Sequence, residues 1–292
     1  MKNFKGIVYA ALSSSTFGLA PLFSILLLSD GFSSFEVLSY RWGVASLTLG
    51  IVGLAGGCRF RISRQELCTV FFLSLFRAAT SLSLVIAYQN ISSGVASIIH
   101  FMYPLAVALA MMCFFREKGS VWVFAAIGMS IVGAVLLSLG NVDFTRGNTT
   151  LGMVSAAVSV VSYGGYIVGV RKSRAVGIDS TVLTCYVMGL GALYFIAGGL
   201  VTGGIRIETD GTAWLCILGV ALPATAVSNM TLVQAIKRIG PTLTSIFGAM
   251  EPLTTVVIGV WVFAEPFTAK GAAGILLIVA AVSVVVLRSR KG

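Results

Sequence analysis

Long apolar runs, separated by short polar loops, extend along this chain from end to end. Most reach the roughly 20 residues that a helix needs to cross the hydrocarbon core of a bilayer. The runs are continuous rather than alternating, which favours helices over the strands of a membrane barrel. The pattern predicts ten membrane-spanning helices, at 6–28, 35–56, 66–88, 92–115, 120–139, 151–171, 179–203, 212–235, 240–263 and 268–288.

An internal repeat divides these spans into two sets of five. The stretch Ser92–Glu117 recurs as Gly240–Glu265 at a constant offset of 148, which aligns Pro104 with Pro252. Spans one and two recur in the same way as spans six and seven. We therefore predict two five-helix repeats, 1–140 and 151–292, joined by a linker at 141–150.

The odd number of helices in each repeat determines how the repeats are oriented. After five crossings the second repeat enters the membrane from the opposite side, so the two copies are inverted relative to each other. Inverted repeats of this kind surround a site near the bilayer midplane in many transporters. The predicted fold is an all-α integral membrane protein with ten transmembrane helices around a central cavity.

Composition excludes a soluble domain, because only 10% of the residues are charged and 57% are hydrophobic, whereas soluble domains carry about 25% charged residues. Mean hydropathy is +0.99. The net charge of +10 arises from Lys and Arg residues scattered through short loops, unlike the basic patch of a nucleic-acid-binding protein. Fifteen of them fall on one predicted side of the membrane and only Arg146, Arg206 and Lys270 on the other. The positive-inside rule predicts that both termini are cytosolic.

Polar side chains inside the spans indicate which helices line a cavity, because such groups are costly to expose to lipid. They concentrate in spans one, three, four, six, eight and nine, whereas spans five and ten have few and are predicted to be peripheral. The candidate substrate-binding residues of the cavity are Phe17, Arg77, Tyr88, His100, Tyr103, Tyr163, Tyr166, Asn229 and Glu251.

Two charged candidates lie at mid-span, where an isolated charge costs at least about 3 kcal/mol. Arg77 and Glu251 either form a structural ion pair or receive the carboxylate and ammonium groups of a zwitterion, and the pattern favours neither. His100, the only histidine, is expected to be neutral and hydrogen-bonded, with proton coupling as the alternative. Arg41 is expected to be structural, either extending outward or pairing with Glu36.

Four prolines interrupt otherwise continuous spans. A proline removes one helical hydrogen bond and its ring clashes with the carbonyl one turn earlier. Matching interruptions in inverted repeats indicate where a transporter binds its substrate. We predict kinks and a role in gating for Pro21, Pro104, Pro223 and Pro252.

Several short elements together carry a family resemblance. They are Phe17–Gly18, Arg41, the segments from Pro104 to Glu117 and from Glu251 to Glu265, and the small-residue stretches AAIGMSIVGAVLL and GAAGILLIVAAV. Through them nearly the whole chain resembles the drug/metabolite transporter superfamily, specifically its EamA-type ten-helix members. The resemblance implies a multi-pass exporter of small metabolites in a bacterial inner (plasma) membrane, similar to the aromatic amino-acid and drug exporters of that group.

Export of amino acids by alternating access is the favoured interpretation. A membrane-embedded enzyme with His100 and Glu251 as acid and base is the alternative, although no nucleophile–base pair, metal-ligand spacing or phosphate loop supports it. A sugar-phosphate or nucleotide-sugar exchanger is disfavoured, because only Arg77 supplies a cation at the midplane. The expected partners are a small-molecule substrate and the lipid bilayer; no cofactor, metal or nucleic acid is expected.

Overall fold

The computed structural model describes residues 2–138, 147–254, 257 and 269–289, and within these ranges the regular structure is helical, without strands. The helices are α1 (Lys2–Phe17), α2 (Ala20–Ser29), α3 (Ser34–Ala55), α4 (Arg64–Asn90), α5 (Ser93–His100), α6 (Tyr103–Phe115), α7 (Val121–Ser138), α8 (Thr149–Lys172), α9 (Ser180–Thr202), α10 (Gly211–Ala221), α11 (Ser228–Ile239), α12 (Pro241–Ile246) and α13 (Ala269–Ser289). Three short irregular segments join or extend them: 3₁₀ turns at Arg174–Gly177 and Phe247–Ala249, and a π-helical turn at Leu222–Val227.

These helices correspond to the predicted spans. Seven described stretches are long and apolar enough to cross a membrane, and two shorter apolar helices, Val121–Leu136 and Ala269–Val284, match spans five and ten. Span nine begins as α12 and is helical again at 250–254. Positions 255, 256 and 258–263 of that span, Glu265 and linker positions 141–146 lie outside the described residues. The prediction of a ten-helix membrane protein in two repeats is confirmed.

The helices pair across the two repeats as a two-fold relationship requires. Helices α3 and α9, which are spans two and seven, pack on each other, and α1 packs on α11 as α4 packs on α8. A Cβ at Gly6 would lie 2.4 Å from Ile239, and a Cβ at the aligned Gly152 would lie 2.6 Å from Ile91, which aligns with Ile239. The same close contact is therefore made twice, once in each half.

The predicted peripheral spans five and ten pair with each other as α7 and α13. A Cβ at Gly133 would lie 2.7 Å from a side-chain carbon of Ile278 and 2.9 Å from the carbonyl oxygen of Gly274. Small residues at this crossing allow the two backbones to approach closely, which is how helices associate where lipid removes the hydrophobic driving force.

Loop contacts show that the basic loops share one face. Lys172 lies 3.6 Å from Glu117, and Arg171 donates to the Lys237 carbonyl at 2.7 Å. The N-terminal helix joins this face through the Arg238 guanidinium, 4.9 Å from the Tyr9 ring centre. We call this side of the molecule the basic face.

The opposite face is held together by its own contacts. The Arg206 amide donates to Glu36 at 3.0 Å and its carbonyl accepts from the Tyr40 hydroxyl at 2.6 Å. The Asn148 amide donates to Asn90 at 3.0 Å. The Arg206 guanidinium also donates to the Asp30 carbonyl at 3.3 Å, and Ser34 donates to Gln89 at 3.0 Å. The ends of spans one, two, three, six and seven that the inverted topology places together are thus in contact.

Candidate functional site

Spans four and nine are both interrupted at aligned positions. Helix α5 ends at His100 and α6 begins at Tyr103, while α12 ends at Ile246 and a 3₁₀ turn covers Phe247–Ala249. Pro104 and Pro252 cause these interruptions. Each has no N–H, and its ring crowds the carbonyl of the residue four positions earlier, 100 or 248. Each interruption opens the backbone in the middle of the bundle.

Span eight is interrupted by a π-helical turn that contains Pro223. Thr225 donates its hydroxyl to the Val220 carbonyl at 2.7 Å, and the Asn229 amide donates to the Thr225 carbonyl at 2.8 Å. Side chains commonly satisfy carbonyls at such interruptions inside membranes. Here this leaves the Thr225 hydroxyl oxygen and the Asn229 side-chain oxygen as acceptors facing the centre of the bundle.

Arg77 occupies that centre and is 1% exposed. Its Nε donates to Asn229 at 2.8 Å and its Nη1 to Ser81 at 3.2 Å. Ser81 aligns with Asn229 at the repeat offset of 148, so Arg77 bridges two equivalent positions of the two repeats. Its guanidinium carbon lies 5.4 Å from the ring centre of Phe17 and 5.2 Å from that of Tyr163, within cation–π range.

Arg41 also points into the centre, contrary to expectation. It is 4% exposed, donates from Nε to Thr225 at 2.6 Å, and lies 5.7 Å from the Phe17 ring centre. Its Nη2 has no hydrogen-bond partner among the described residues. The predicted pairing with Glu36 is wrong, because that carboxylate accepts from the Ser33 and Arg206 amides at the opposite face.

Span two therefore belongs to the site, which the sequence reasoning restricted to six other spans. Besides Arg41 it supplies Trp42, a fully buried ring 6.0 Å from the Arg77 guanidinium carbon. The indole packs on Gly191 of α9, where a Cβ would lie 2.1 Å from the ring. The sequence contained one signal that span two lines the site, the charge of Arg41 deep in an apolar run. The nearby Glu36 made a local ion pair look sufficient to explain that charge.

Glu251 supplies the negative charge of the cluster. It is 6% exposed and lies within electrostatic range of both Arg77 and Arg41. Tyr88 is within range of Glu251 and Arg41, and its hydroxyl contacts Ser97. The structure thus brings together both members of the predicted Arg77–Glu251 pair and adds a second cation.

Aromatic rings surround the charged cluster. Phe17 stacks on Tyr163 with ring centres 6.4 Å apart, and these two residues align between spans one and six. Tyr103 lies 4.7 Å from Tyr163, and the His100 ring lies 5.3 Å from both tyrosines. The two arginines therefore lie against an aromatic wall built by both repeats: both approach Phe17, and Arg77 also approaches Tyr163.

His100 is hydrogen-bonded, as expected. Its Nδ1 lies 2.8 Å from the Ser159 hydroxyl, which itself donates to the Ala156 carbonyl at 2.6 Å. Because a hydroxyl has one proton, it accepts here from Nδ1–H, which assigns the tautomer. His100 Nε2 and the Tyr166 hydroxyl are buried without partners among the described residues.

The site is closed. All nine predicted site residues are less than one-tenth exposed. The Tyr103 hydroxyl lies directly against Gly248, and a Cβ at Gly18 would lie 2.7 Å from the Glu251 carbonyl oxygen. No cluster of three or more His, Cys, Asp or Glu residues suited to a metal occurs in the described ranges.

The predicted proline sites lie where the helices change. Pro21 is at the start of α2, after the break that follows Phe17, and Pro223 is in the π-helical turn. Pro104 is at the start of α6, and Pro252 follows the 3₁₀ turn of span nine. All four adjoin the charged and aromatic cluster rather than the membrane surface.

Comparison with known proteins agrees with this architecture. An "Uncharacterized transporter YojE" of Bacillus subtilis is 26% identical over 286 residues, covering 92% of this chain and 89% of that protein. An "Uncharacterized transporter" of Archaeoglobus fulgidus is 23% identical over 236 residues, covering 81% and 82% respectively. A solved crystal structure superposes with a TM-score of 0.80 at 19% identity, over 99% of this chain and 98% of that chain, which supports the fold.

The EamA-like transporter family matches twice along the chain, at residues 4–139 and 150–287. These two matches span most of both repeats, including every residue of the charged and aromatic cluster. Membership is therefore established by the length of the match and is consistent with the geometry of the site. The chain belongs to the EamA-like transporter family.

Proposed function

We propose that this transporter exports amino acids or closely similar metabolites from the cytosol across a bacterial inner membrane by alternating access. The observation that carries the proposal is the closed cluster of Arg41, Arg77 and Glu251 at the point where interrupted helices of both repeats meet. Transporters with inverted repeats place their substrate sites at such interruptions near the midplane. Charged side chains there are functional in most membrane proteins, because burying them is costly.

A departure from symmetry supports two interconverting states. A Cβ at Gly18 would lie 2.9 Å from Thr254 Cβ, whereas a Cβ at the aligned Gly164 would lie 3.6 Å from the aligned Ala106. Span one thus packs more closely on span nine than span six does on span four. Exchanging the tight and loose packings would open the site to one side and then to the other, which is alternating access.

The direction follows from the basic face. Arg171, Lys172 and Arg238 on this face are among the fifteen Lys and Arg residues that the positive-inside rule places in the cytosol. The looser contact at Gly164 lies in the half of α8 that leads to this face. The proposed resting state therefore admits substrate from the cytosolic side first.

Uptake into proteoliposomes tests the proposal. Vesicles with the purified protein should accumulate a labelled amino acid from a panel, with and without an imposed pH gradient. Arg77→Gln and Glu251→Gln should each reduce uptake at least tenfold, whereas Ser283→Ala, an exposed position on α13, should not. Absence of uptake for the whole panel, or full activity in both site variants, would contradict the proposal.

A further inference from the structure

We propose that the site recognises an organic anion of net charge −1, whose carboxylate is held jointly by Arg41 and Arg77. This inference rests on the proposed transport function and, among its substrates, favours closely similar carboxylate metabolites over zwitterionic amino acids. The structure places two arginines, Arg41 and Arg77, in the site where the sequence predicts one.

The charges in the site do not balance. Arg41 and Arg77 contribute two positive charges and Glu251 at most one negative charge; the tyrosines and His100 around them are uncharged partners. In the described interior the cluster therefore carries +1 with Glu251 ionised and +2 with Glu251 protonated. A buried excess charge is strongly unfavourable unless an ion of opposite sign compensates it. An anion neutralises the site in its +1 form, whereas a zwitterion leaves the excess unchanged.

The two guanidinium groups lie within electrostatic range of each other. Both lie against one aromatic ring, with the Arg41 and Arg77 guanidinium carbons 5.7 Å and 5.4 Å from the Phe17 ring centre. An anion within reach of both offsets their mutual repulsion; Glu251 supplies one such charge and leaves an excess of one positive charge. The planar fork of arginine matches the two oxygens of a carboxylate.

Hydrogen bonding leaves the required donor available. Arg77 is fixed by Asn229 and Ser81, and Arg41 is fixed through its Nε by Thr225. The Arg41 Nη2 is buried and has no partner among the described residues. A buried donor of a charged group left unsatisfied costs more than an ordinary hydrogen bond contributes. A substrate carboxylate would satisfy it.

Glu251 has a different role in this scheme from the one that a zwitterion would give it. It lies within range of both arginines and competes with the substrate carboxylate for them. Removing its charge should therefore tighten the binding of an anion while slowing its release. If Glu251 instead received an ammonium group, the same substitution should weaken binding.

The remaining surface indicates what else the anion contains. Phe17, Tyr103 and Tyr163 form an aromatic wall beside the arginines, and Tyr166 has an unpartnered hydroxyl. Aromatic rings pack well on such walls in offset or edge-on arrangements. An aromatic carboxylate fits this combination of charge and apolar surface.

Four ligands that share one phenyl scaffold test the charge preference directly: 3-phenylpropanoate (anion), L-phenylalanine (zwitterion), phenethylamine (cation) and 2-phenylethyl phosphate. Binding to the purified full-length protein would be measured by intrinsic tryptophan fluorescence and by thermal unfolding. We expect 3-phenylpropanoate to bind at least tenfold more tightly than L-phenylalanine and phenethylamine. Tighter binding of the phosphate would assign the anion site to a phosphate ester and overturn the carboxylate.

Substitutions then show which residues produce the preference for the anion. Arg41→Gln should abolish it and Arg41→Lys should retain part of it, whereas Arg61→Gln, which changes an exposed loop cation outside the site, should leave it unchanged. Glu251→Gln should bind 3-phenylpropanoate more tightly. Because each preference is a ratio within one protein, a general loss of stability cancels.

The outcomes separate this inference from the proposed function. Equal or tighter binding of L-phenylalanine, no binding of any ligand, or an anion preference that survives Arg41→Gln would overturn the inference. Uptake of L-phenylalanine without an anion preference would leave the proposed export of amino acids standing. Binding of 3-phenylpropanoate without its uptake would instead support the site and contradict transport.

Discussion

The Tyr103 hydroxyl lies so close to the Gly248 backbone that a Cβ at residue 248 would be 1.6 Å from it. The two residues come from the interrupted helices of different repeats. At the repeat offset of 148, Tyr103 aligns with Glu251 and Gly248 aligns with His100. Exchanging the conformations of the repeats therefore exchanges the Tyr103–Gly248 contact for one between Glu251 and His100.

Cross-linking can detect this exchange. In a background lacking the five native cysteines, the pair Tyr103→Cys/Gly248→Cys and the pair His100→Cys/Glu251→Cys should both react with a short bifunctional thiol reagent. A cross-link in the first pair should trap the conformation seen in this structure. A cross-link in the second pair should trap the conformation in which the two repeats have exchanged their packing, because one protein cannot make both contacts at once. Each single-cysteine variant is the control. If the second pair never cross-links in any condition, the exchange does not occur.

Gly248→Ala should impair transport strongly. The added methyl group cannot coexist with the Tyr103 hydroxyl, so the ring must leave its position beside Tyr163, and we expect at least a tenfold lower uptake. Gly128→Ala on α7 is a matched control, since nothing lies within 4 Å of its Cβ and alanine favours helix by about 1 kcal/mol. The clash should also lower the amount of Gly248→Ala protein in the membrane, and combining it with Tyr103→Ala should restore that amount to the level of Tyr103→Ala alone; failure to do so would locate the defect elsewhere.

Thr225→Val should weaken substrate binding more than it destabilises the fold. It removes the acceptor for Arg41 and the donor to the Val220 carbonyl, at a cost of about 1–3 kcal/mol. Thr231→Val, in the next helix, also removes a hydroxyl, but in the described structure that hydroxyl donates to the Val227 and Ser228 carbonyls and accepts from no arginine. Equal losses of binding in the two variants would contradict the assigned role of Thr225; thermal unfolding measures the stability change.

Pro104→Ala and Pro252→Ala should slow transport without abolishing expression, because each restores a helical hydrogen bond at an interruption that the site uses. Pro241→Ala is the control, since proline at the first residue of α12 replaces no intrahelical donor. Initial uptake rates normalised to protein in the membrane provide the measurement. Unchanged uptake rates in both Pro104→Ala and Pro252→Ala would show that these prolines have no role in transport.

Accessibility labelling tests the orientation. In intact cells, a membrane-impermeant maleimide should modify Arg206→Cys but not Arg61→Cys or Lys172→Cys until the membrane is permeabilised. The reverse pattern would place the basic face outside and reverse the proposed direction of transport.

The sequence was informative where a signal depends on local pattern. Apolar run length predicted the spans, and the aligned prolines predicted the interruptions of spans four and nine. The scarcity of polar residues predicted that spans five and ten are peripheral, and the structure adds that they pair as α7 and α13. It was misleading at Arg41, because proximity along the chain suggested Glu36 as a partner. The actual partner, Thr225, is in the other repeat, 184 positions away.

The sequence by itself determined that the protein crosses the membrane ten times in two inverted halves, because hydrophobic length, loop charge and internal repetition are properties of the chain alone. Only the tertiary structure decided that two arginines rather than one meet Glu251 at the centre. The physical reason is that a buried cation is oriented by acceptors that helix interruptions create. Which acceptors come within reach depends on how the two halves pack.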